Sequence, residues 1–266
     1  MQYKLLAIDM DGTLLDSDKH LRDTTVAAIN RAMEAGVLFT IATGRSIHGI
    51  ESVRHRLWPN APIVAYNGAT IFAHEDRQIL FDCKLDTDIA KDVYEWGKAR
   101  GVSFINWSDN KLYIFEKTKY TDYYVAHANI APILIEDERE VLEQGLTKIL
   151  WVDEASNIAR YQQELQGMLK GRNVTSCTSQ PEYLEFLNGA SSKGNAVKFV
   201  AEHLGILPSE ILAIGDEMND ISMLKYVGLG IAMGNALDAV KESADLITLS
   251  NDEDGVAHVI DTIVLK

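Results

Sequence analysis

Two acidic segments about 200 residues apart share one local pattern. Asp9-Met10-Asp11-Gly12-Thr13 directly follows the apolar run Leu5 to Ile8. Gly215-Asp216-Glu217-Met218-Asn219-Asp220 directly follows the apolar run Ile211 to Ile214. In the first segment, two carboxylates one residue apart can face the same side of an extended backbone. Gly12 then lets the chain turn away. In the second, Asp216 sits at a strand end, with Asn219 and Asp220 at the start of a helix. Each segment alone also reads as an acidic turn or a helix N-cap. Together they say more. If both strands lie near the middle of one sheet, Asp9, Asp11, Asp216 and Asp220 converge. Two like charges about 4 Å apart repel by about 4 kcal/mol at an effective dielectric of about 20. Several such pairs call for a cation among them. Carboxylate and carbonyl oxygens without His or Cys favour Mg²⁺.

Two further segments carry groups suited to a phosphate. Thr43-Gly44-Arg45 follows the apolar run Val37 to Ala42. A threonine hydroxyl and the amides beside a glycine can donate to phosphate oxygens, although Thr-Gly-Arg is also an ordinary loop. Lys193, in Ser191-Ser192-Lys193-Gly194, opens a helix. A cation there opposes the helix dipole, and Gly194 adds a helix penalty. Both choices make sense if Lys193 reaches a phosphate held near acidic groups. The competing reading is a solvated lysine.

The elements that must position these residues fall into two textures. Residues 1–82 alternate apolar strands with helices. Thr24 to Ala35 has helical apolar spacing through Val26, Ile29 and Met33, with Gly36 as its stop. A third apolar run covers Ile63 to Tyr66. Residues 189–266 repeat the rhythm: helix at Lys193 to Leu204, then Gly205, strand at Ile211 to Ile214, helix at Asn219 to Tyr226. An extended run at Leu229 to Met233, a helix at Leu237 to Ser243, an extended run at Leu246 to Leu249 and a last helix near Asp254 complete it. Strands of this kind between helices indicate a parallel sheet covered on both faces. Residues 83–188 differ. Asp86 to Arg100 is an amphipathic helix stopped by Gly101. Val102 to Trp107 and Lys111 to Glu116 form a hairpin through Ser108-Asp109-Asn110. Helices near Tyr120 to Ala128 and at Ala155 to Lys170 flank a strand at Lys148 to Val152. Extended runs at Val174 to Thr178 and Tyr183 to Leu187 follow. The expectation is a Rossmann-like α/β parallel-sheet core (1–82 and 189–266) interrupted by an inserted α+β domain (83–188).

Composition narrows the partners. The chain has 266 residues, is 47% hydrophobic and carries a formal net charge of -14. That is enough chain for a sizeable core or two smaller ones. The negative surface disfavours nucleic acid, while a small phosphate ester could bind a locally cationic pocket. Cys83 and Cys177 make no disulfide scaffold and no zinc spacing. The start is no signal peptide, and no stretch reaches the roughly 20 apolar residues of a membrane span. By elimination the expected location is cytoplasmic. Oligomeric state is not legible.

In this order the four segments resemble the haloacid dehalogenase superfamily. Asp9 to Thr13 matches its first motif, Thr43 its second, Lys193 its third, and Gly215-Asp216 through Asn219-Asp220 its fourth. The insert, together with Tyr66-Asn67-Gly68-Ala69 and Asp254-Gly255-Val256-Ala257, resembles the Cof-type phosphatases with a type IIB cap. The resemblance implies an Mg²⁺-dependent phosphatase acting on a small phosphorylated metabolite, with sugar phosphates as the leading class. It implies Asp9 as nucleophile and metal ligand. Asp11 is implied as general acid and then base, its backbone carbonyl on the metal. Asp216 is implied as the third protein ligand, and Asp220 as supporting the metal closely or through water. Thr43, Gly44, Lys193 and Asn219 would hold the transferring phosphoryl group. Arg45 and Asn67 are candidate substrate contacts, each equally able to anchor a loop. The insert would act as a lid that selects the leaving group. Trp96, Trp107 and Trp151 lie in it and read as core. His48, His55, His74 and His203 match no metal pattern. A phosphosugar mutase of the same fold and a non-catalytic phosphometabolite-binding protein are the alternatives. A mutase conserves organic phosphate, and a binding protein needs no nucleophile. A dehalogenase needs neither Asp11 nor Mg²⁺.

Overall fold

The computed structural model describes residues 2–128 and 130–266, apart from the side chains of Ser52 and His127. The chain opens with β1 (Leu5–Ile8), α1 (Asp23–Glu34), β2 (Leu38–Ile41), α2 (Ile47–Arg54), β3 (Ile63–Ala65), β4 (Thr70–Phe72) and β5 (Ile79–Asp82). It continues with α3 (Thr87–Arg100), β6 (Ser103–Ser108), β7 (Lys111–Ile114), α4 (Lys119–Ala128), β8 (Ile133–Leu134) and α5 (Arg139–Leu142). Next come β9 (Lys148–Val152), α6 (Ala155–Leu169), β10 (Val174–Gln180) and β11 (Tyr183–Asn188). It closes with α7 (Lys193–Leu204), β12 (Ile211–Gly215), α8 (Ile221–Tyr226), β13 (Leu229–Ala232), α9 (Asp238–Lys241), β14 (Leu246–Ile247) and α10 (Gly255–Val259). Two compact units result. One comprises Met1–Arg45, Ile50–Phe81 and Ser192–Lys266; the other comprises Ser46–Gly49 and Asp82–Ser191.

The first unit is built on a five-stranded sheet in the order β14-β13-β12-β1-β2. All its pairings are parallel. The continuous apolar runs follow from this arrangement, because a parallel sheet covered by helices hides both faces. Leu5 to Ile8 and Ile211 to Ile214 are wholly buried. Chain direction also matters. From β1 the chain moves outward through α1 to β2, and from β12 it moves the other way through α8 to β13. The crevice between β1 and β12 is therefore a topological switch point, where ligand sites of open α/β sheets form. Helix α1 buries Thr25, Ala28, Ile29 and Ala32. The sequence spacing pointed to Val26, Ile29 and Met33, but Val26 and Met33 are only half-buried. The buried face is instead the one with small residues, which lets the helix lie close to its neighbours.

The second unit holds a six-stranded sheet in the order β10-β11-β9-β6-β7-β8. Its hairpin β6–β7 turns on Asp109 and Asn110, both with positive φ (47° and 59°), as a tight two-residue hairpin turn requires. Helices α3 and α6 supply Ile89, Val93, Ile158 and Leu165 to a core that includes Trp151, and Trp96 packs against it. Trp107 is also buried, and its indole N–H donates to the Tyr124 hydroxyl at 3.0 Å. His48 belongs to this unit and stacks on Trp107 at 6.4 Å between ring centroids.

Several elements escaped the sequence reading. Helices α2 and α5 and strands β4, β5 and β8 were not anticipated. Each is short, and β8 offers only two exposed residues, too few for periodicity to register. The helix expected from Asn219 divides into a 3₁₀ turn, Met218–Asp220, and then α8. The turn arises because Asp220 folds back to accept backbone N–H groups at the strand end, which breaks the regular helical ladder.

Candidate active site

The carboxyl edge of the parallel sheet gathers the singled-out residues into three groups. Asp9 follows β1, Thr43 follows β2 and Asp216 follows β12. Asn67 follows β3, which belongs to a separate three-stranded sheet, β3-β4-β5, and is joined to the chain after β2 by a parallel bridge between Ala42 and Val64. In the first group, Asp9, Asp216 and Asp220 each place a carboxylate oxygen within 4.8 Å of the others. At that spacing each ionised pair repels by about 3 kcal/mol at an effective dielectric of about 20. The buried Lys193 ammonium bridges two of them, donating to Asp9 at 2.5 Å and Asp220 at 2.6 Å. Lys193 is 1% exposed, so the solvated-lysine alternative does not hold. The neighbouring Gly194 has a packing reason. A Cβ there would stand 2.4 Å from the Ser222 carbonyl oxygen, so glycine lets α7 lie against α8.

Electrostatics follow from this crowding. Burial raises the Asp9 carboxyl well above its ordinary value; Lys193 opposes this, while Asp220 and Asp216 add to it. Asp216 is pushed up to about 6, chiefly by burial, against the Thr13 hydroxyl that donates to it at 2.7 Å. Burial works against the charged form of Lys193, yet Asp220 and Asp9 outweigh it and raise the ammonium's pKa. One ammonium paired with Asp9 and Asp220, and with Asp216 close by, makes burying all three carboxyls in charged form unfavourable without a further cation.

Asp220 and the other two carboxylates differ in what they have left to give. Asp220 accepts Lys193 on one oxygen and the amides of Asp216 and Glu217, each at 3.0 Å, on the other. It is a brace. Asp9 and Asp216 each retain one oxygen with no hydrogen-bond donor among the described residues. The donor set is all oxygen, without His or Cys, which fits Mg²⁺. The turn at Gly12, with φ 79°, is drawn in so tightly that a Cβ would fall 2.3 Å from Asp216 Oδ2.

The second group is Asp11, Arg45 and Lys19. The Asp11 side chain does not join the carboxylate cluster. Arg45 grips it with two bonds, Nε at 2.7 Å and Nη2 at 2.6 Å, and Lys19 adds a third at 3.1 Å. Partial burial pushes the Asp11 carboxyl up, but Arg45 and Lys19 together carry it below the ordinary value.

In the third group, Asn219 donates to Asn67 at 2.8 Å, and the Asn67 side chain lies over Gly44. Buried Thr43 accepts the Arg45 amide on its hydroxyl at 3.1 Å, and its carbonyl accepts the Asn67 amide at 3.0 Å. Tyr66 and Asn67 both adopt left-handed backbone, φ 50° and 55°. Such residues cost on the order of 1–2 kcal/mol each outside glycine, and they cluster where surrounding structure over-determines them.

Sequence reasoning missed two supports. Lys19 lies in a loop eight residues beyond Asp11, and nothing in its neighbourhood marks it. Asn235 donates to the Gly12 carbonyl at 2.8 Å. Its signal was available, because it stands just beyond β13 at the same sheet edge.

Known proteins agree with this architecture. The family model described as haloacid dehalogenase-like hydrolase matches residues 6–260. A 5-amino-6-(5-phospho-D-ribitylamino)uracil phosphatase of Bacillus subtilis is 32% identical over 258 residues, covering 97% of this chain and 94% of the relative. A haloacid dehalogenase-like hydrolase from Bacteroides thetaiotaomicron superposes with a TM-score of 0.85 at 29% identity, covering 98% of this chain and 99% of the other. A subclass IIB sugar phosphatase shares the fold at a TM-score of 0.82 and 22% identity, covering 99% of this chain and 100% of the other. An acidic cluster at the switch point of a parallel sheet, with a family match over nearly the whole length, leads to one conclusion: the chain belongs to the haloacid dehalogenase-like hydrolases, the family of its phosphatase relatives.

Proposed function

We propose that this protein is an Mg²⁺-dependent phosphatase that hydrolyses a small phosphorylated metabolite through an aspartyl-phosphate on Asp9. The observation that carries the reading is the buried Asp9–Asp216–Asp220 cluster bridged by Lys193 at the switch point. Asp9, Asp216 and the Asp11 backbone carbonyl would hold Mg²⁺, with Asp220 bracing them. When bound, the metal supplies charge neutralisation between a phosphate and the carboxylates.

A carboxylate is a modest nucleophile, so catalysis must come from placement and charge. Lys193 fixes the orientation of Asp9 and keeps it from drifting away from the incoming phosphorus. Asp9 attacks in line, the P–O bond to the leaving group breaks, and the alkoxide takes a proton from Asp11. Water then attacks the acyl phosphate while Asp11 takes its proton, and Asp9 is regenerated. As placed, Asp11 is an ionised carboxylate under Arg45 and Lys19, suited to the second half. Acting as the acid requires Arg45 to turn away from it. Thr43, Gly44, Lys193 and Asn219 surround the transferred group. The insert, taken as 83–188, would exclude water and choose the leaving group. The substrate class we assign is a phosphorylated sugar or sugar alcohol, in keeping with the phosphoribityl substrate named for the Bacillus subtilis relative.

The test is phosphate release from p-nitrophenyl phosphate and a panel of phosphorylated metabolites, with Mg²⁺ and with EDTA. Activity should vanish in EDTA. Asp9→Asn should lower turnover at least about a thousandfold with an unchanged circular dichroism spectrum. Wild-type turnover in Asp9→Asn would overturn the mechanism.

A further inference from the structure

One short turn touches three of the segments that surround the phosphate position. The Tyr66 amide donates to the Arg45 carbonyl and the Asn67 amide to the Thr43 carbonyl, both at 3.0 Å, so the turn is stitched to the loop after β2. Gly68, with φ 90°, lies so close to Ser192 that a Cβ would fall 2.2 Å from its carbonyl oxygen. Ser192 immediately precedes Lys193. The Asn67 amide oxygen accepts the Asn219 side chain at 2.8 Å, and the same amide group roofs Gly44, whose Cβ position is 3.0 Å from that oxygen. The backbone is held in a left-handed conformation through Tyr66, Asn67 and Gly68 in succession. Nothing about hairpin closure alone calls for three such residues. The conformation aims the Asn67 side chain across the sheet edge toward Asn219.

We infer that Asn67 is a positioning residue for the phosphoryl-binding donors. It sets the rotamer of Asn219, and it acts through Asn219 rather than by touching the leaving group. The inference rests on the phosphatase reading for its catalytic consequence. Its structural content is the coupling of Asn67 to Asn219. A side-chain amide carries an acceptor and two donors on one plane. When Asn67 takes one Asn219 N–H, the rest of the Asn219 amide is oriented at no further cost in rotamer freedom. Without Asn67 that freedom returns, and each phosphate contact of Asn219 must be made from a disordered side chain.

The experiment is a double-mutant cycle with Asn67→Gly, Asn219→Ala and the double variant. Glycine keeps the left-handed backbone and removes only the amide. The cycle is read on turnover with p-nitrophenyl phosphate, a hexose 6-phosphate and pyridoxal phosphate, and separately on the affinity for inorganic phosphate by calorimetry. Each single variant should lose about tenfold, by the same factor on all three esters. The double variant should lose about tenfold as well, because the two residues act as a unit. Losses that multiply to about a hundredfold would overturn the coupling. A loss in Asn67→Gly that differs among the three esters would show direct contact with the leaving group and overturn the positioning role. Wild-type behaviour of Asn67→Gly would also overturn it. Wild-type protein that binds phosphate but releases none from any ester would sink the phosphatase reading instead, and the affinity cycle would still decide the role of Asn67.

Discussion

Lys193 holds a full charge at 1% exposure between the carboxylates of Asp9 and Asp220. From the sequence it stood on the wrong end of a helix, opposing the dipole at a cost of some tenths of a kcal/mol. Two short ion pairs in a desolvated site outweigh that cost. Removing one partner of a buried network leaves the others uncompensated, typically at about 3–5 kcal/mol. Lys193→Met keeps the length of the side chain and removes its charge. It should lower stability by about 3 kcal/mol in urea unfolding and abolish phosphate release. A loss below about 1 kcal/mol would mean the two carboxylates shed their charge cheaply, and the bridging role would be wrong.

The element that carries Lys193 is itself capped. Helix α7 buries Ala196, Val197, Val200 and Ala201 on one face, and Ser192 at its N-cap accepts the Asn195 amide at 3.1 Å. Losing an N-cap hydroxyl costs about 1 kcal/mol, because an N–H of the first turn goes unpaired. Ser192→Ala should shift the urea midpoint by that amount, and Ser192→Thr should restore most of it. An Ala variant as stable as wild type would show that water caps the helix equally well. The same first turn sets the height of Lys193 above the sheet edge. Ser192→Ala should therefore lower turnover as well as stability, and Thr should recover both.

Across the whole molecule, the N-terminal end of α1 is tied to the N-cap of α10. Arg22 donates to both oxygens of Asp254, at 2.6 and 3.2 Å, and the Thr24 hydroxyl donates to one of them. Arg22 and then Thr24 hold the Asp254 carboxyl below its ordinary value. The folded state therefore binds this proton less tightly than the unfolded chain. The stabilisation is fully present above the unfolded Asp value of about 3.9 and is lost as pH falls through the depressed folded value. Asp254→Asn should be less stable than wild type at pH 7, and the gap should narrow below about pH 4. Urea midpoints at pH 7 and pH 3 measure this. A gap that stays constant with pH would remove the charge from the explanation. No helix among the described residues is long and apolar enough to cross a membrane.

What could be read along the chain was whatever rests on local chemistry. Apolar runs of four or five residues ending in Asp, such as Leu5 to Asp9 and Ile211 to Asp216, announce buried parallel strands with acidic tips, because only a sheet hidden on both faces uses such runs. Helix α7 was legible to the residue, from Lys193 to its Gly205 stop, since caps are local. Three things waited for the tertiary structure. One is the separation of Asp11 from the other carboxylates, which depends on Arg45 arriving from the next strand and Lys19 from a loop. Another is the burial of Lys193, which depends on Asp220 coming from 27 residues away. The third is the turn at Tyr66 to Gly68, whose left-handed backbone is unfavourable by itself and is held by the loop after β2 on one side and by Ser192, just before α7, on the other. Residue types and spacing determined which groups could do chemistry. Long-range pairing decided which of them meet, since the energy of a charge or a hydrogen bond depends on neighbours that the local sequence does not contain.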